Sequence, residues 1–534
     1  MAAECSGGGK RGVLSVVSRA FPQTGRRLCA HAHAADGRGI DAGDRKSRGV
    51  LARYVRRVAR YGRGSRTAGE CRRHFAGPIR ANARGRSPVP AAAGGRRDGS
   101  LGDGWRQVRR RGLGLRFSCH QDDCRSGGPA TDHLQNAATQ LLTENSVRTI
   151  IEDLQESKIR EVANAGIGRA DVLPFWFGES DEVTPEFIRQ AAIESLQRGE
   201  TFYSHNLGLL ELRDAIAEYM GDLHGSITSD RLAVTSGGVN ALMLAMQALL
   251  DAGDEVVAVT PVWPNLTAQP KIMGAAVRCI SLKPVNGAWT LDLEELLAAV
   301  TSRTKLLVIN APNNPTGWTL TRAEQAQIVA HCRLTGTWIL ADEVYERLYY
   351  LPTAKACAPS FLDVTVPEDR LVVVHSFSKS FLMTGWRLGW LVMPPSMTHH
   401  VGKLLEFNTS CAPVFIQRAA LAALKRTADV TPRGVAHLQL CRDTLVPLLQ
   451  ALPGVQLAAA NGGMYAFFRL EGRDDSLATA KRLVLEAGLG LAPGAAFDPS
   501  PTAPAGSWLR WCFASKDPQR LVLGVERLKN WLLR

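Results

Sequence analysis

Residues 371–390, LVVVHSFSKSFLMTGWRLGW, place two hydroxyls, an amine and a guanidinium close together along the chain. Ser376 and Ser378 precede Lys379, and Arg387 follows eight residues later. Hydroxyls bond phosphate oxygens, and a planar guanidinium can clamp them with two parallel hydrogen bonds. A lysine of lowered pKa can form a Schiff base with a carbonyl. These residue types predict a site that holds a phosphate with a reactive amine beside it. A strand followed by a solvated basic loop could have the same sequence.

Two further stretches suit an anion and a flat ring. Residues 232–250 indicate a strand, a Gly-Gly turn and an apolar helix, and the start of a helix favours negative charge. Gly238 and Val239 are the candidate phosphate-facing amides, with Ser236 nearby. Trp263 follows another strand, between two prolines, and its flat ring could stack on a flat heterocycle. A tight turn and a Trp that covers a loop would explain these features equally well if each stood alone.

The elements that must position these residues alternate between apolar strands and helices. Over residues 230–390, this alternation predicts an α/β domain with a mainly parallel sheet and helices on both faces. The candidate residues follow strand ends, where such sheets bind ligands. Residues 147–165 have apolar side chains near helical spacing and predict one amphipathic helix whose role is packing. Residues 461–470 predict a strand of a smaller domain.

The motifs resemble, in order, those of class I/II aminotransferases, which are fold-type-I enzymes that use pyridoxal phosphate. The SxSK motif with its following arginine is joined by further matches, which are GESDEVTP (178–185), YSHNLGLLELR (203–213), NAPNNPTG (310–317), ADEVYE (341–346), PGAAF (493–497) and LRWCFA (509–514). The resemblance runs from about residue 147 to the C-terminus. It implies a large domain with a mainly parallel seven-stranded sheet flanked by helices, plus a smaller α+β domain. Residues 191–420 would form the large, cofactor-binding domain, and residues 145–190 and 421–534 the small one.

The resemblance also implies a role for each matched residue. Lys379 would carry pyridoxal phosphate and move the substrate proton, and Asp342 would pair with the pyridine nitrogen. Tyr345 would bond the phenolic oxygen of the cofactor beside Asn314. The implied catalytic residues are thus Lys379, Asp342 and Tyr345. The implied substrate-binding residues are Gly178, Asn314 and Arg510, with Arg510 clamping the substrate α-carboxylate.

The implied cofactor-binding residues include most of the candidates above. They are Ser236, Gly238, Val239, Trp263, Asn314, Asp342, Tyr345, Ser376, Ser378, Lys379, Arg387 and Tyr203. Relatives often have a hydroxyl at the place of Val239, so only its backbone amide could serve the phosphate. Tyr203 would reach the cofactor phosphate of a neighbouring subunit, which implies a homodimer.

The net charge of +14 is carried by one segment of the 534-residue chain. Residues 1–130 hold 28 Lys and Arg against 9 Asp and Glu, a net charge of +19, which leaves −5 for the other 404 residues. Because the segment is rich in Arg, Gly, Ala and Ser and has no sustained apolar period, residues 1–140 are predicted to be a disordered basic leader. The rest has the composition of a soluble globular protein, with no apolar run long enough for a membrane span.

Several roles for the leader stay open. An Arg-rich, acid-poor start is typical of an organelle transit peptide, and a basic tail can bind nucleic acid or an anionic surface. Cys119 and Cys124 around His120 are a weak metal signal without a second pair, and no metal is expected elsewhere. The leader could also be sequence upstream of a true start. Because Met220 lies beyond two site motifs, such a start would need a non-Met codon near residues 141–147.

The function that the resemblance implies is transamination between an L-amino acid and a 2-oxo acid by a ping-pong mechanism. A lyase or synthase of the same fold, such as a cyclopropane-carboxylate synthase, is an open alternative because it can share most of these residues. A transcription regulator with an aminotransferase-like domain is another, but residues 1–130 lack the periodicity of a winged helix-turn-helix. Nucleic acid is therefore not an expected partner.

The amino donor and the cellular location are less defined by the sequence. A dicarboxylate substrate would need a second cationic clamp, and the motifs place none. Of the eleven cysteines, six follow residue 130 and are far apart, which indicates free thiols in a reducing compartment. A cytoplasmic location is therefore favoured over organelle targeting.

Overall fold

The computed structural model describes residues 147–500 and 503–534. The predicted disordered leader, residues 1–140, and the Cys119–Cys124 pair lie outside the described residues. The α-helices, numbered in chain order, are α1 Thr149–Glu152, α2 Lys158–Gly166, α3 Glu186–Gln197, α4 Leu210–His224, α5 Gly238–Leu249, α6 Asn265–Ile272, α7 Leu293–Ala299, α8 Arg322–Thr335, α9 Pro395–Asn408, α10 Val414–Lys425, α11 Thr427–Gln450, α12 Ser476–Arg482 and α13 Gln519–Leu532. The strands are β1 Leu173–Pro174, β2 Leu232–Thr235, β3 Glu255–Thr260, β4 Ala276–Ser281, β5 Lys283–Val285, β6 Ala288–Thr290, β7 Thr304–Asn310, β8 Trp338–Asp342, β9 Leu371–Ser376, β10 Gly389–Val392, β11 Val455–Leu457, β12 Tyr465–Leu470, β13 Leu489–Gly490, β14 Ala492–Pro493 and β15 Trp508–Cys512.

The central sheet has seven strands in the order β2-β10-β9-β8-β7-β3-β4. Strand β10 runs antiparallel to both of its neighbours, and the other pairs are parallel. Asn310 at the end of β7 lies opposite Asp342 at the end of β8. Gly389 at the start of β10 pairs with Ser376 on one side and Thr235 on the other. The sheet confirms the predicted mainly parallel architecture and brings the ends of β2, β7, β8 and β9 to one edge.

The sheet is buried on both faces. Successive residues of β9 belong to different hydrophobic clusters, with Val372 and Val374 in one and Val373 in the other. A strand covered on both sides requires an unbroken apolar run rather than an alternating one. The LVVV run that begins β9 meets this requirement, which is why the sequence predicted this strand well.

A second, antiparallel sheet has the order β11-β12-β15-β14 and contains Tyr465 and Arg510. Strand β1, just before Gly178, pairs in parallel with β13. The N-terminal described segment is thereby hydrogen-bonded to the C-terminal part of the chain. The predicted smaller α+β domain has this sheet at its centre, and the domain boundaries at 145, 190 and 420 stay a prediction.

The single helix predicted over residues 147–165 is wrong. The segment forms α1 and α2, with a break between them. Ser157 caps α2 by accepting a hydrogen bond from the backbone N–H of Arg160 at 3.2 Å, and such a cap satisfies a donor that a helix start leaves free. Ile159 and Val162 are buried as the pattern predicts, but Ile151 is exposed.

Among the described helices, none combines the length and the apolar character that crossing a membrane requires.

Candidate active site

A cavity of about 510 Å³ lies at the sheet edge where β7, β8 and β9 end. Most residues predicted for the site line it, although they come from segments up to 332 residues apart in the sequence. They are Gly178, Gly238, Val239, Trp263, Asn314, Asp342, Tyr345, Ser376, Ser378, Lys379, Arg387 and Arg510. Two predicted residues, Ser236 and Tyr203, are not among those that line the cavity.

Lys379 is a half-buried lysine that lines the cavity. Its Nζ donates a hydrogen bond to the carbonyl of Gly178 at 2.6 Å and lies 5.6 Å from the centre of the Tyr345 ring. Burial lowers the pKa of Lys379 to about 8, because the ammonium form loses its hydration. The neutral amine that nucleophilic attack and proton abstraction require is thus easier to reach than in an ordinary lysine.

Asp342 ends β8 with its carboxylate buried and facing the cavity. The hydrogen bond recorded for this carboxylate is a long one, 3.4 Å, from the backbone N–H of Val344. Burial raises the pKa of Asp342 to about 7. A buried carboxylate with so little hydrogen bonding needs a donor from elsewhere, and a protonated ring nitrogen would supply one.

Arg510 is held in place by several neighbours inside the molecule. Its guanidinium donates to Oδ1 of Asn314 at 2.9 Å and to the carbonyl of Trp176. Its Cζ lies 4.5 Å from the centre of the Tyr465 ring and 4.8 Å from that of Phe497. The planar fork is thereby fixed before any carboxylate binds, which reduces the entropy cost of binding.

Tyr345 and Tyr465 share a hydrogen bond of 2.6 Å between their hydroxyls. A Cβ added to Gly178 would lie 2.1 Å from the Tyr465 hydroxyl, so this position admits only glycine. Sequence reasoning placed Tyr465 on a strand but gave it no part in the site. The signal was weak, since a tyrosine after a Gly-Gly pair is equally typical of an ordinary strand start.

The end of the cavity near α5 carries donors for an anion. Gly238 begins α5, and Gly237 before it has a φ of +96°. A Cβ on Gly237 would lie 2.5 Å from Nη2 of Arg387, so the absent side chain makes room for the guanidinium. Ser376 and Ser378 line the same cavity. A helix start, an arginine and two hydroxyls together suit a phosphate group.

Trp263 and Tyr203 differ in exposure. Trp263 is half-buried and lines the cavity. Tyr203 is 89% exposed and Phe202 beside it is 83% exposed. The prediction that Tyr203 serves a neighbouring subunit requires such exposure in a single chain, and it stays a prediction.

Several further lining residues were not singled out in the sequence. Among them are Ile159, Arg160, Phe177 and Glu179. Ile159 and Arg160 lie in α2, which was expected only to pack. An arginine on the polar side of an amphipathic helix carries no signal in one sequence, because its cavity-facing position depends on where the helix docks.

The residues present fit pyridoxal phosphate. Lys379 can react with its aldehyde, the bare carboxylate of Asp342 can pair with its ring nitrogen, and the glycine turn at Gly237 can receive its phosphate beside Arg387. The cavity volume lies in the range usual for small-molecule sites. A mainly parallel seven-stranded sheet whose strand ends present these groups is the architecture of fold-type-I pyridoxal-phosphate enzymes.

Comparison with known proteins gives the family. The chain belongs to the aminotransferase class I and II family, which residues 171–528 match. It is 33% identical over 363 residues to the aspartate aminotransferase of Thermotoga maritima, covering 68% of this chain and 92% of that protein. It is 32% identical over 362 residues to an arginine–pyruvate transaminase of Pseudomonas aeruginosa, covering 67% and 88%. The structure of Thermus thermophilus aspartate aminotransferase with maleate superposes with a TM-score of 0.67 at 29% identity, covering 72% of this chain and 99% of that one.

The protein is therefore a pyridoxal-phosphate-dependent aminotransferase, with an amino acid and a 2-oxo acid as substrates. These relatives give no support to the lyase, synthase or regulator alternatives.

Proposed function

We propose that this cavity is where the amino group is transferred, with Lys379 as the residue that holds the cofactor and moves the proton. The observation that carries the proposal is the convergence of Lys379, Asp342 and Arg510 on one cavity. When bound, pyridoxal phosphate supplies an aldehyde that accepts the amine and a ring that withdraws electrons from the reacting carbon. The side chains of the cavity then bind, orient and transfer protons.

Lys379 acts as general base and then as general acid. Its pKa of about 8 leaves a useful share of neutral amine near neutral pH, and a base is most efficient when its pKa is near the working pH. The bond from Nζ to the Gly178 carbonyl fixes the direction of the amine. From that position the amine would remove the proton from the substrate α-carbon and would later donate a proton as the acid.

Asp342 would pair with the ring nitrogen of the cofactor and favour its protonated form. Once a cationic N–H lies beside it, its carboxylate is stabilised in the charged form and its pKa falls below the value of about 7 that burial alone produces. Asn314 and Tyr345 follow the paired ends of β7 and β8 and line the same cavity, which supports a place for both beside that ring. Their amide and hydroxyl are suited to bond the phenolic oxygen.

Arg510 binds the substrate α-carboxylate in a bidentate manner, with Asn314 and the backbone of Gly178 beside it. Trp263 covers the cofactor ring. The phosphate is held by five residues that line the α5 end of the cavity, with Ser236 beside them; the five are Gly238, Val239, Ser376, Ser378 and Arg387. Ser236 stands next to the glycine turn, and its backbone N–H donates to Asn240 at 3.1 Å.

A homodimer completes the site in this proposal. Phe202, Tyr203 and Phe407 are each more than 80% exposed in the single chain. Large exposed aromatic rings are typical of interaction surfaces, and a second copy that covers them would bring Tyr203 to the partner's phosphate site. A Tyr203→Phe variant should release cofactor more readily, and a chain that is active as a monomer by light scattering would contradict the proposal.

A reducing, cytoplasmic location is also proposed. The six cysteines of the described residues are free thiols, and four of them are buried, as is usual for proteins that do not rely on disulfides. Fractionation of cells that make the full chain would test this, and recovery of the protein from an organelle would contradict it.

The decisive experiment combines absorbance with activity. Purified protein supplied with pyridoxal phosphate should show the visible absorbance of a lysine-bound cofactor and should form 2-oxo acid from an amino donor in the presence of 2-oxoglutarate. Lys379→Ala should lose that absorbance and at least about 10⁴-fold in kcat. Release of ammonia or carbon dioxide in place of amino-group transfer would overturn the proposal, as would a Lys379→Ala variant with unchanged activity.

A further inference from the structure

Among the described residues, four cationic side chains border the cavity, and the proposed function uses three of them. Lys379 holds the cofactor, Arg387 faces the phosphate and Arg510 binds the α-carboxylate. The fourth is Arg160 on α2, whose side chain lines the same cavity. The cofactor and the α-carboxylate of the substrate are bound by the other three cations. The proposed function therefore leaves Arg160 without a partner.

Three consecutive residues, Trp176, Phe177 and Gly178, each contact one of these cations. The carbonyl of Trp176 accepts from Arg510, and the carbonyl of Gly178 accepts from Nζ of Lys379. Between them, the ring of Phe177 lies 5.0 Å from Cζ of Arg160. Because neighbouring Cα atoms are only about 3.8 Å apart, the three cations border one end of the cavity. A substrate held by Lys379 and Arg510 would therefore have Arg160 within reach of its side chain.

The guanidinium of Arg160 makes no ion pair within residues 147–500 and 503–534. Some other arginines of the described residues have such partners, as Arg169 does with Asp171 at 2.7 Å and Arg333 with Asp369 at 2.6 Å. The carboxylate of Glu179 also lines the cavity, but it accepts a hydrogen bond from Thr384 at 3.2 Å instead. The bidentate face of Arg160 is consequently open to a ligand.

We propose that Arg160 binds the side-chain carboxylate of the substrate, so that the enzyme prefers amino acids and 2-oxo acids that carry a second carboxylate. This inference rests on the proposed function, because it needs Arg510 to hold the first carboxylate. An arginine suits this task, since its planar fork matches a carboxylate with two parallel hydrogen bonds. Stacking on Phe177 keeps the fork oriented toward the cavity without neutralising its charge.

The test compares amino donors in the full-length holoenzyme and in Arg160→Met. The ratio of kcat/KM for glutamate to that for alanine should fall about 10- to 100-fold, which corresponds to one charge-assisted bidentate contact. Most of the change should be in KM for glutamate. Arg160→Lys keeps the charge without the fork and should restore part of the ratio. The matched control is Arg473→Met, because Arg473 lies 5.0 Å from the Trp531 ring and does not line the cavity; it should leave the ratio unchanged.

A binding measurement makes the test independent of turnover. Succinate should raise the melting temperature of the wild-type holoenzyme more than butyrate does at equal concentration, and Arg160→Met should remove that difference. A glutamate-to-alanine ratio unchanged within about twofold in Arg160→Met would overturn the inference. So would a selective loss of phenylalanine as donor, which would make Arg160 a cover for aromatic side chains. Wild-type enzyme that transfers amino groups only from neutral donors would overturn this inference alone, whereas enzyme that transfers none would overturn the proposed function.

Discussion

Two groups of buried polar side chains start from the same five residues, 342–346, and differ in how completely they are hydrogen-bonded. Asp342 and Tyr345 face the cavity, whereas Glu343 and Glu346 face away from it into the protein. There they join His224 and other groups in what we term the ion cluster, which consists of His224, Glu343, Glu346, Asp363 and His375. One short segment therefore supplies both the reactive site and a structural network behind it.

The ion cluster is densely hydrogen-bonded. His224 contacts Asp363 at 3.0 Å through Nδ1 and Glu346 at 3.1 Å through Nε2. Glu346 also accepts from the Tyr219 hydroxyl at 3.2 Å, and Glu343 accepts from Ser360 and from the backbone of Phe361. Asp342, by contrast, has one long hydrogen bond. Because saturated carboxylates have nothing left to offer a ligand, the difference in hydrogen bonding separates the structural acids from the one that is free to bind the cofactor.

The largest expected effect is on the stability of the ion cluster. His224→Ala leaves the carboxylates of Glu346 and Asp363 buried without their shared imidazole, so the free energy of unfolding should fall by about 3–5 kcal/mol. Urea unfolding followed by tryptophan fluorescence measures this. The control is His331→Ala, because His331 makes one bond, of 2.7 Å, to the carbonyl of Val300 and should cost only about 1 kcal/mol. Equal losses in the two variants would refute the distinction between the two groups.

Two neighbouring acids should give opposite phenotypes when replaced by their amides. Asp342→Asn removes the charge opposite the ring nitrogen and should lower kcat about 10²- to 10³-fold with little change in stability. Glu343→Gln should leave kcat within about threefold. Burial raises the pKa of Glu343 to about 8, so the native carboxyl is largely neutral at pH 7 and the amide resembles it. Steady-state kinetics at pH 7 with one amino donor measures kcat for both variants. A comparable loss of activity in both would contradict the expected difference.

The ion cluster should also make stability decline in alkaline solution. Burial opposes a charge on His224, but its hydrogen bonds to Asp363 and Glu346 raise its pKa to about 10. Its contribution is therefore complete below the unfolded pKa near 6.5 and is lost as pH rises toward 10. Glu343, with its pKa raised to about 8 by burial, is likewise stabilising when protonated and loses that contribution between about pH 4.5 and 8.

The free energy of unfolding should accordingly fall between pH 6.5 and 9 by an amount on the order of 5 kcal/mol, and the melting temperature should fall with it. Glu343→Gln should flatten part of this slope because it removes one titrating group. A melting temperature that rises over this interval would show that the signs assigned to His224 and Glu343 are wrong.

The sequence predicted the residues of the cavity better than those of the ion cluster. Strand β9 could be predicted because a fully buried strand needs an unbroken apolar run. The residues at strand ends could be predicted because the site motifs are specific. The sequence could not show in which direction the side chains of Glu343 and Glu346 point. Glu343 and Glu346 have the same residue type as catalytic acids, and only the docking of α4, which carries His224, shows that they are saturated.

The start of the described chain shows a second limit. The apolar spacing of residues 147–165 fitted one helix, but the turn before Ser157 splits it and brings α2 to the cavity. Helical periodicity indicates which face of a helix is buried. It does not indicate whether the polar face contacts solvent or lines a cavity. Arg160 could therefore not be distinguished from a solvated arginine before the fold was known.

The smallest expected effect concerns the hydrogen bond between Tyr345 and Tyr465. Tyr465→Phe removes the hydroxyl that lies 2.6 Å from that of Tyr345, so Tyr345 is oriented less firmly toward the cofactor oxygen. One hydrogen bond is worth about 1 kcal/mol, so kcat/KM should fall about 5- to 10-fold for every amino donor. The matched control is Tyr350→Phe, because the Tyr350 hydroxyl donates at 2.6 Å to the carbonyl of Gly463 and does not line the cavity.

Tyr350→Phe should lower stability by about 1 kcal/mol and leave kcat/KM within about twofold. The comparison is informative because both changes delete one hydrogen-bonded hydroxyl from an aromatic ring and differ only in which group loses its partner. If Tyr350→Phe impaired catalysis as much as Tyr465→Phe, the loss would reflect general loosening of the second sheet. A donor-independent loss confined to Tyr465→Phe would place the Tyr345–Tyr465 pair on the cofactor side of the cavity, opposite in role to the donor-selective Arg160.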